Sequence, residues 1–307
     1  MLLFCRKLVI NKPELLRVKG PVLLACNHPN SFLDGVILDA LFEQPLYSLA
    51  RGDVFRKPLY IRLLRALRIL PVYRISEGAG NLPINYETFS ACQEIFLKKG
   101  IVVIFSEGKC INEWHLRPLK KGTARLAVAC WKANIPLRVL PVGINYSSFR
   151  RFGKNAVISF GEMIEAKELD LTQPDGTLFQ HFNMQLADQL GQLVYEIQPE
   201  DRQKKQKLLS FLPSAKKRWL LHLPALVGWI THWPLYSPVK KFTVSRTRYN
   251  DHYDSVLTAI LLFTYPVYLL FISGLLYRLT GSPLSGLLLL LLPFTAWSYV
   301  QLKPQLD

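Results

Sequence analysis

The sequence predicts an α/β fold, a central sheet flanked by helices, followed by a C-terminal transmembrane helical hairpin. Three observations carry this. Up to about residue 200, short apolar runs bounded by Gly, Pro and Asn alternate with amphipathic stretches, the pattern of strands and covering helices. A charged stretch, Asp201-Arg202-Gln203-Lys204-Lys205-Gln206-Lys207, then ends that pattern. Beyond it, residues 255–277 and 279–302 hold no charged side chain, and each is longer than the ~20 residues that a membrane span needs. The chain therefore divides into an α/β domain at 1–200, a basic and aromatic segment at 201–254, and two transmembrane helices at 255–302.

Within the first part, Arg6 to Val18 supplies an edge strand with turn residues Asn11-Lys12-Pro13. Pro21 to Cys26 is an apolar run bounded by Gly20 and Asn27, which reads as a buried strand. Gly35 to Phe42 reads as a mostly apolar helix, and Tyr47 to Ala50 as a second core strand. Pro58 to Leu67 spaces its leucines for an amphipathic helix with Arg62, Arg65 and Arg68 on the solvated face. A short strand, Ile69 to Arg74, precedes a loop with Gly and Pro over Ile75 to Tyr86. Glu87 to Lys99 is helical and stops at Lys98-Lys99-Gly100, where the charges match the helix dipole. Ile101 to Phe105 is the clearest strand. A helix opens at Pro118 to Arg125 and runs to about Asn134. Leu137 to Tyr146 is a strand interrupted by Pro141, and Ala156 to Phe160 is another. Gln180 to Ile197 is a long surface helix.

The candidate site lies at strand ends. His28 stands where the first buried strand stops, and Asp34 lies in the first turn of the next helix. In an α/β sheet ligands bind in that crevice. A His with a tethered carboxylate is the minimum for a general base with an orienting partner. The same residues have a second reading: Ser31-x-x-Asp34 fits a capping box, with Asp34 a helix cap and His28 a satisfied loop residue. Ser106-Glu107-Gly108-Lys109 follows its strand at once, and a Gly beside a Glu there lets backbone approach a ligand.

The C-terminal part addresses a membrane. Trp219 to Tyr236 is aromatic and apolar but broken by prolines, which predicts an interfacial placement for Trp219, Trp229, Trp233 and Tyr236 rather than a span. Lys240, Lys241, Arg246 and Arg248 precede the hairpin, Arg278 and Thr280 to Pro283 link its halves, and Lys303 follows it. By the positive-inside rule both ends, and the α/β domain, face the cytosol. Pro266 and Pro293 are tolerated in membrane helices.

Read together, the blocks resemble the PlsC-like family of lysophosphatidate and glycerol-phosphate acyltransferases. The family's NHxxxxD is similar to Asn27-His28-Pro29-Asn30-Ser31-Phe32-Leu33-Asp34, with one extra residue between His and Asp, a spacing some glycerol-phosphate acyltransferases share. A strand ending in Arg matches Leu70-Pro71-Val72-Tyr73-Arg74. FPEGTR resembles Phe105-Ser106-Glu107-Gly108-Lys109-Cys110, with Ser106 for the family's Pro and Cys110 for its Arg. A Val-Pro-Val-Gly strand matches Leu140-Pro141-Val142-Gly143, and Lys121-Gly122-Thr123-Ala124-Arg125 looks like the family's Lys-x-Gly-x-Ala segment. The resemblance covers about Pro21 to Glu165. It implies a mixed central sheet and an integral enzyme of the inner (plasma) membrane with its catalytic domain on the cytoplasmic face. His28 would be the general base, oriented by Asp34 as in a triad. Arg74 and Lys109 would hold the acceptor phosphate with Lys121 assisting, Glu107 would bind the acceptor's polar head or orient those basic groups, and Gly108 and Pro141 would be substrate-binding; Lys109 or Arg117 would compensate for the missing Arg at Cys110. No nucleophilic Cys26 or Ser31 is required. No cofactor is implied beyond the acyl-CoA or acyl carrier protein thioester as co-substrate, and no metal. The acceptor is a lysophospholipid or glycerol phosphate; a lyso-aminolipid stays open.

Composition fits these partners. The chain has 307 residues and 50% hydrophobic residues, and Lys+Arg 38 against Asp+Glu 22 gives a net charge of +16. Such an excess calls for an anionic partner. Anionic membrane lipid supplies one. No RNP-type or zinc-finger motif is present, so nucleic acid is not expected. Cys5, Cys26, Cys92, Cys110 and Cys130 form no CxxC pair and read as reduced thiols. Met1 to Lys7 has no signal-peptide h-region, so none is expected. Two other readings remain. A catalytically inactive lipid-binding relative would keep lipid binding without His28. A His/Asp metal hydrolase would need a third ligand, and His115, His181, His222, His232 and His252 show no ligand spacing near the first block.

Overall fold

A computed structural model describes residues 4–52, 55, 58–72 and 82–306. Seven strands form one sheet: β1 (Cys5–Ile10), β2 (Val22–Cys26), β3 (Leu46–Arg51), β4 (Ile69–Val72), β5 (Ile101–Phe105), β6 (Arg138–Tyr146) and β7 (Lys154–Phe160), in the order β1-β7-β6-β2-β5-β3-β4. The pairs β2–β5, β2–β6, β3–β5 and β3–β4 are parallel. β6 and β7 pair antiparallel across a short connection, and β1 runs parallel to β7, which makes the sheet mixed. β2 is buried along its whole length. Its alternate residues feed two cores, as the pleat requires. Val22, Leu24 and Cys26 face a cluster with Leu33, Ile37 and Leu38 of α1 (Phe32–Leu41). Leu23 and Ala25 face a cluster with α3 (Leu82–Leu97), α4 (Gly122–Lys132) and α5 (Asp175–Leu193).

Several elements differ from the sequence expectation. β6 runs unbroken through Pro141, because the chain after β7 takes only the proline's carbonyl, through Gly161 N–H at 3.0 Å. α3 begins at Leu82, inside the expected loop; residues 73–81, including Arg74, lie outside the described residues. α4 starts at Gly122 rather than Pro118, and α5 starts at Asp175 and carries its buried stripe on Leu178, Phe182, Leu186 and Leu190. Each of those fully buried side chains contributes about 1.5–3 kcal/mol. α2 (Pro58–Ala66) matches the basic amphipathic helix read from the sequence. The charged stretch after residue 200 forms α6 (Arg202–Leu209), capped by Asp201 and buried at Leu209.

The largest difference is α7 (Ala215–Arg246), one continuous helix despite Pro224, Pro234 and Pro238. Proline normally breaks a helix by removing a backbone donor. Here other groups engage carbonyls along the helix. Thr231 Oγ1 donates to Val227 O at 2.8 Å, His232 Nδ1 lies 2.8 Å from Gly228 O, and Tyr268 of the next helix donates to Thr231 O. α8 (Tyr253–Thr280) and the pair formed by a 3-10 turn and α9 (Leu288–Leu302) follow. Tyr253–Thr280 and Pro283–Leu302 are long and apolar enough to cross a membrane, with mean hydropathies of 2.1 and 1.5. At 1.5 Å per residue the first is about 42 Å long. Gly281 turns the link in a left-handed conformation at φ +66. α7 packs closely on α9, where a Cβ on Gly228 would lie 2.1 Å from Thr295 O. Both ends of the hairpin lock onto the α/β body. Gln301 at the end of α9 accepts from Arg6 Nη1 through its carbonyl at 3.1 Å, and Asp254 at the start of α8 pairs with Lys154 of β7.

Candidate active site

The site forms at the carboxyl ends of β2, β5 and β6. Cys26 and Phe105 are paired in register, so the residues that follow each strand, His28 and Glu107, emerge side by side. Asn27 continues β2's ladder with its side chain: Nδ2 donates to Ile144 O at 3.0 Å and Oδ1 accepts from Ile144 N at 2.7 Å. His28 lies stacked on Phe105, ring centroids 3.9 Å apart. Its backbone N–H donates to Glu107 Oε2 at 2.7 Å.

His28 Nδ1 lies 2.9 Å from Asp34 Oδ2. The Asp34 side chain is fully buried and that of His28 is 19% exposed, so the pair has one sheltered end and one open end. Asp34 accepts two further hydrogen bonds, from Asn30 N to Oδ2 at 2.8 Å and from the Tyr146 hydroxyl to Oδ1 at 2.8 Å. Burial and the neighbouring Asp34 push the Tyr146 phenol far above its usual range, so it stays a donor. A carboxylate held on both oxygens fixes the ring through Nδ1–H. That tautomer places the lone pair on Nε2, the arrangement of a general base with an orienting acid.

The capping-box reading does not hold. Ser31 is the N-cap of α1 but makes no side-chain cap bond, and the Asp34 carboxylate is committed to His28, Asn30 and Tyr146. Ser31 itself sits at φ 54, a left-handed conformation that costs a non-glycine residue about 1–3 kcal/mol. Its N–H donates to Cys110 Sγ at 2.9 Å. Burial, then Asp34, raise the Cys110 thiol well above its ordinary range, and burial does the same at Cys26. Neither is set up as a thiolate nucleophile.

Glu107 is buried, and both carboxylate oxygens bind backbone, His28 N at 2.7 Å and Arg117 N at 2.9 Å. Burial raises its pKa above the ordinary carboxylate value, while those two N–H bonds and His28 pull it down. In this state it ties the His28 loop to the chain after β5. Gly108 takes φ +66, which favours glycine, and a Cβ there would press on Lys120 Cγ at 3.1 Å. Lys109 and Lys121 are exposed at the same end of the sheet, and Pro141 is buried within β6. Arg117 pairs with Glu113 at 2.8 Å. Among the described residues no group of three His, Cys, Asp or Glu side chains is placed to hold a metal. Sequence reasoning missed Tyr146 and Asn30. The signal for Tyr146 was a polar aromatic at the end of a strand otherwise buried.

An α/β domain with a buried Asp–His pair at its strand ends has an arrangement that can activate a hydroxyl. The acyltransferase family model matches residues 7–145. Glycerol-3-phosphate O-acyltransferase 1 of Saccharomyces cerevisiae is 38% identical over 69 residues, 22% of this chain and 9% of that protein. Glycerol-3-phosphate O-acyltransferase 2 of the same yeast is 34% identical over 82 residues, 26% of this chain and 11% of that protein. The chain thus matches about a tenth of the length of these relatives. The crystal structure of the 1-acyl-sn-glycerophosphate acyltransferase PlsC from Thermotoga maritima aligns with TM-score 0.41 and 15% identity, over 61% of this chain and 73% of that one. Residues 7–145 are thus similar to the acyltransferase family, and short stretches of the chain are similar to glycerol-3-phosphate O-acyltransferases.

Proposed function

We propose that the protein is a membrane-bound O-acyltransferase. It moves a fatty acyl group from an acyl-CoA or acyl carrier protein thioester to a hydroxyl of glycerol 3-phosphate or lysophosphatidate in phospholipid synthesis. The observation that carries this is the His28–Asp34 pair, 2.9 Å apart, with Asp34 buried and held on both oxygens. His28 Nε2 takes the proton as the acceptor hydroxyl attacks the thioester carbonyl. Asp34 stabilises the imidazolium that forms. When the tetrahedral intermediate collapses, the C–S bond breaks and the imidazolium returns the proton to the leaving thiolate. Arg74, Lys109 and Lys121 bind the acceptor phosphate, where charge-assisted hydrogen bonds are strong.

The membrane part of the reading rests on the two apolar helices. A lysolipid acyl chain leaves the bilayer at a cost of about 0.8 kcal/mol per CH₂, so the His28 crevice must open toward the lipid. Exposed Trp219, Trp229 and Trp233 set the depth, and Lys240, Lys241, Arg246 and Arg248 add attraction to anionic lipid on the cytoplasmic face.

The test is an acyl-transfer assay on the purified protein in vesicles, with glycerol 3-phosphate, lysophosphatidate and a lyso-aminolipid as acceptors and acyl-CoA or acyl carrier protein as donor. Product from a phosphorylated acceptor is expected. Lys109→Ala should raise the KM of that acceptor about tenfold, the loss of one charge-assisted bond. A rise in the donor KM alone would reverse the assignment.

A further inference from the structure

The loop that carries the base is held by the start of α8. Three consecutive residues, Pro29, Asn30 and Ser31, each connect to residues 251–254. Asn112 Nδ2 donates to Pro29 O at 2.7 Å and lies 3.5 Å from Asp251 O. Ser31 Oγ lies 2.6 Å from His252 Nδ1. Asn30 Nδ2 donates to Asp254 Oδ2 at 2.8 Å, and the same oxygen receives the Lys154 ammonium. Asn30, Lys154 and Asp254 are each fully buried.

The juxtaposition forms a short relay. Asp254 holds the Asn30 side chain, Asn30 N–H donates to Asp34 Oδ2, and the same Asp34 oxygen holds His28 Nδ1. The loop between His28 and Asp34 is the stretch that carries one residue more than NHxxxxD. A longer loop has more conformations to lose, and ties at its middle, Asn30 Nδ2 to Asp254 and Asn30 N–H to Asp34, remove them. Burying an ion pair is a poor way to gain stability, since desolvation offsets the attraction. What Lys154 and Asp254 gain is direction: an acceptor pinned where Asn30 must point.

We infer that Asp254, in the first turn of the membrane-type helix α8, is a positioning residue that sets the His28–Asp34 geometry through Asn30. The inference rests on the acyltransferase reading above. It makes the hairpin part of the working site as well as an anchor.

The experiment uses full-length protein in phosphatidylglycerol and phosphatidylethanolamine vesicles, with labelled glycerol 3-phosphate or lysophosphatidate and acyl-CoA. Asp254→Leu is made with Lys154→Met, so that no charge is left buried alone. That pair should lower kcat about tenfold to hundredfold, the scale of a small misplacement, with both KM values within about twofold. Lys154→Met with Asp254→Asn keeps an oxygen for Asn30 and should recover kcat to within about threefold of wild type, as a rescued contact would. Adding Asn30→Ala to the Leu pair should cause no further loss, because the two changes break one relay. Wild-type kcat in the Leu pair, an equal fall in the Asn pair, or additive loss with Asn30→Ala would each overturn the inference. His28→Ala runs alongside. An inactive His28→Ala with an active Leu pair sinks the positioning role alone, whereas an active His28→Ala sinks the mechanism beneath it.

Discussion

α5 and α8 are both long helices rich in leucine, yet they hide different parts of themselves. α5 buries one stripe, Leu178, Phe182, Leu186 and Leu190, and turns polar residues outward. α8 does the reverse. It leaves Leu262, Phe263, Val267, Leu270 and Phe271 exposed and buries the charged Asp254 in its first turn. Helices that are apolar all round suit a membrane or a large core, and among the described residues only 6% of the apolar window of α8 is buried. The contrast separates a helix with one buried apolar stripe from one whose apolar side chains lie exposed. The buried start of α8 meets the α/β domain at the loop that carries His28.

Exposed positions should break the comparison most visibly. On the proposed membrane placement, Leu270→Arg with Phe271→Arg puts two charges on the exposed apolar surface of α8, at about 2.5–3.5 kcal/mol each near the bilayer centre. Loss of membrane insertion is expected, read by alkaline extraction and flotation. Met184→Arg on the exposed face of α5 should change domain stability by no more than about 0.5 kcal/mol. Equal tolerance of both would remove the distinction between the two helices.

A smaller effect lies at the site. Tyr146→Phe deletes the donor to Asp34 Oδ1 and leaves that oxygen buried without it. The cost of about 1–3 kcal/mol in holding the carboxylate should lower kcat roughly tenfold or more, with the acceptor KM unchanged. Unchanged kcat would show that one oxygen suffices to orient His28.

The smallest pair concerns two helical glycines. Gly191 in α5 has nothing within 4 Å of an added Cβ, so Gly191→Ala should raise domain stability by about 0.5–1 kcal/mol. Gly228 in α7 faces Thr295 O at 2.1 Å, so Gly228→Ala must push α7 off α9 and destabilise their packing. Thermal unfolding in detergent reads both. Tolerance of Gly228→Ala would mean that the close crossing is not required.

Much of this was legible in the residues. β5 is exact to the residue, since Ile101 to Phe105 is bounded on both sides by turn residues. His28 and Asp34 stood out because strand end and helix start fix both side chains locally. The prolines misled twice, in β6 and in α7. Both elements continue through their prolines, and partners packed beside them, Gly161 on Pro141 O and Tyr268 on Thr231 O, are remote in sequence. The partners of Tyr146, Asn30 and Asp254 were hidden for the same reason. Asp34 and Tyr146 are separated by 112 positions, and Asn30 and Asp254 by 224. Only tertiary folding brings such partners together.

The most direct test of the mechanism is acyl transfer by purified His28→Ala beside wild type, both inserted in vesicles to the same level. Loss of general-base catalysis is worth roughly 10²–10⁴-fold, so turnover should fall at least a hundredfold while membrane attachment and thermal unfolding stay unchanged. Turnover near that of wild type in the purified variant would contradict His28 as the base.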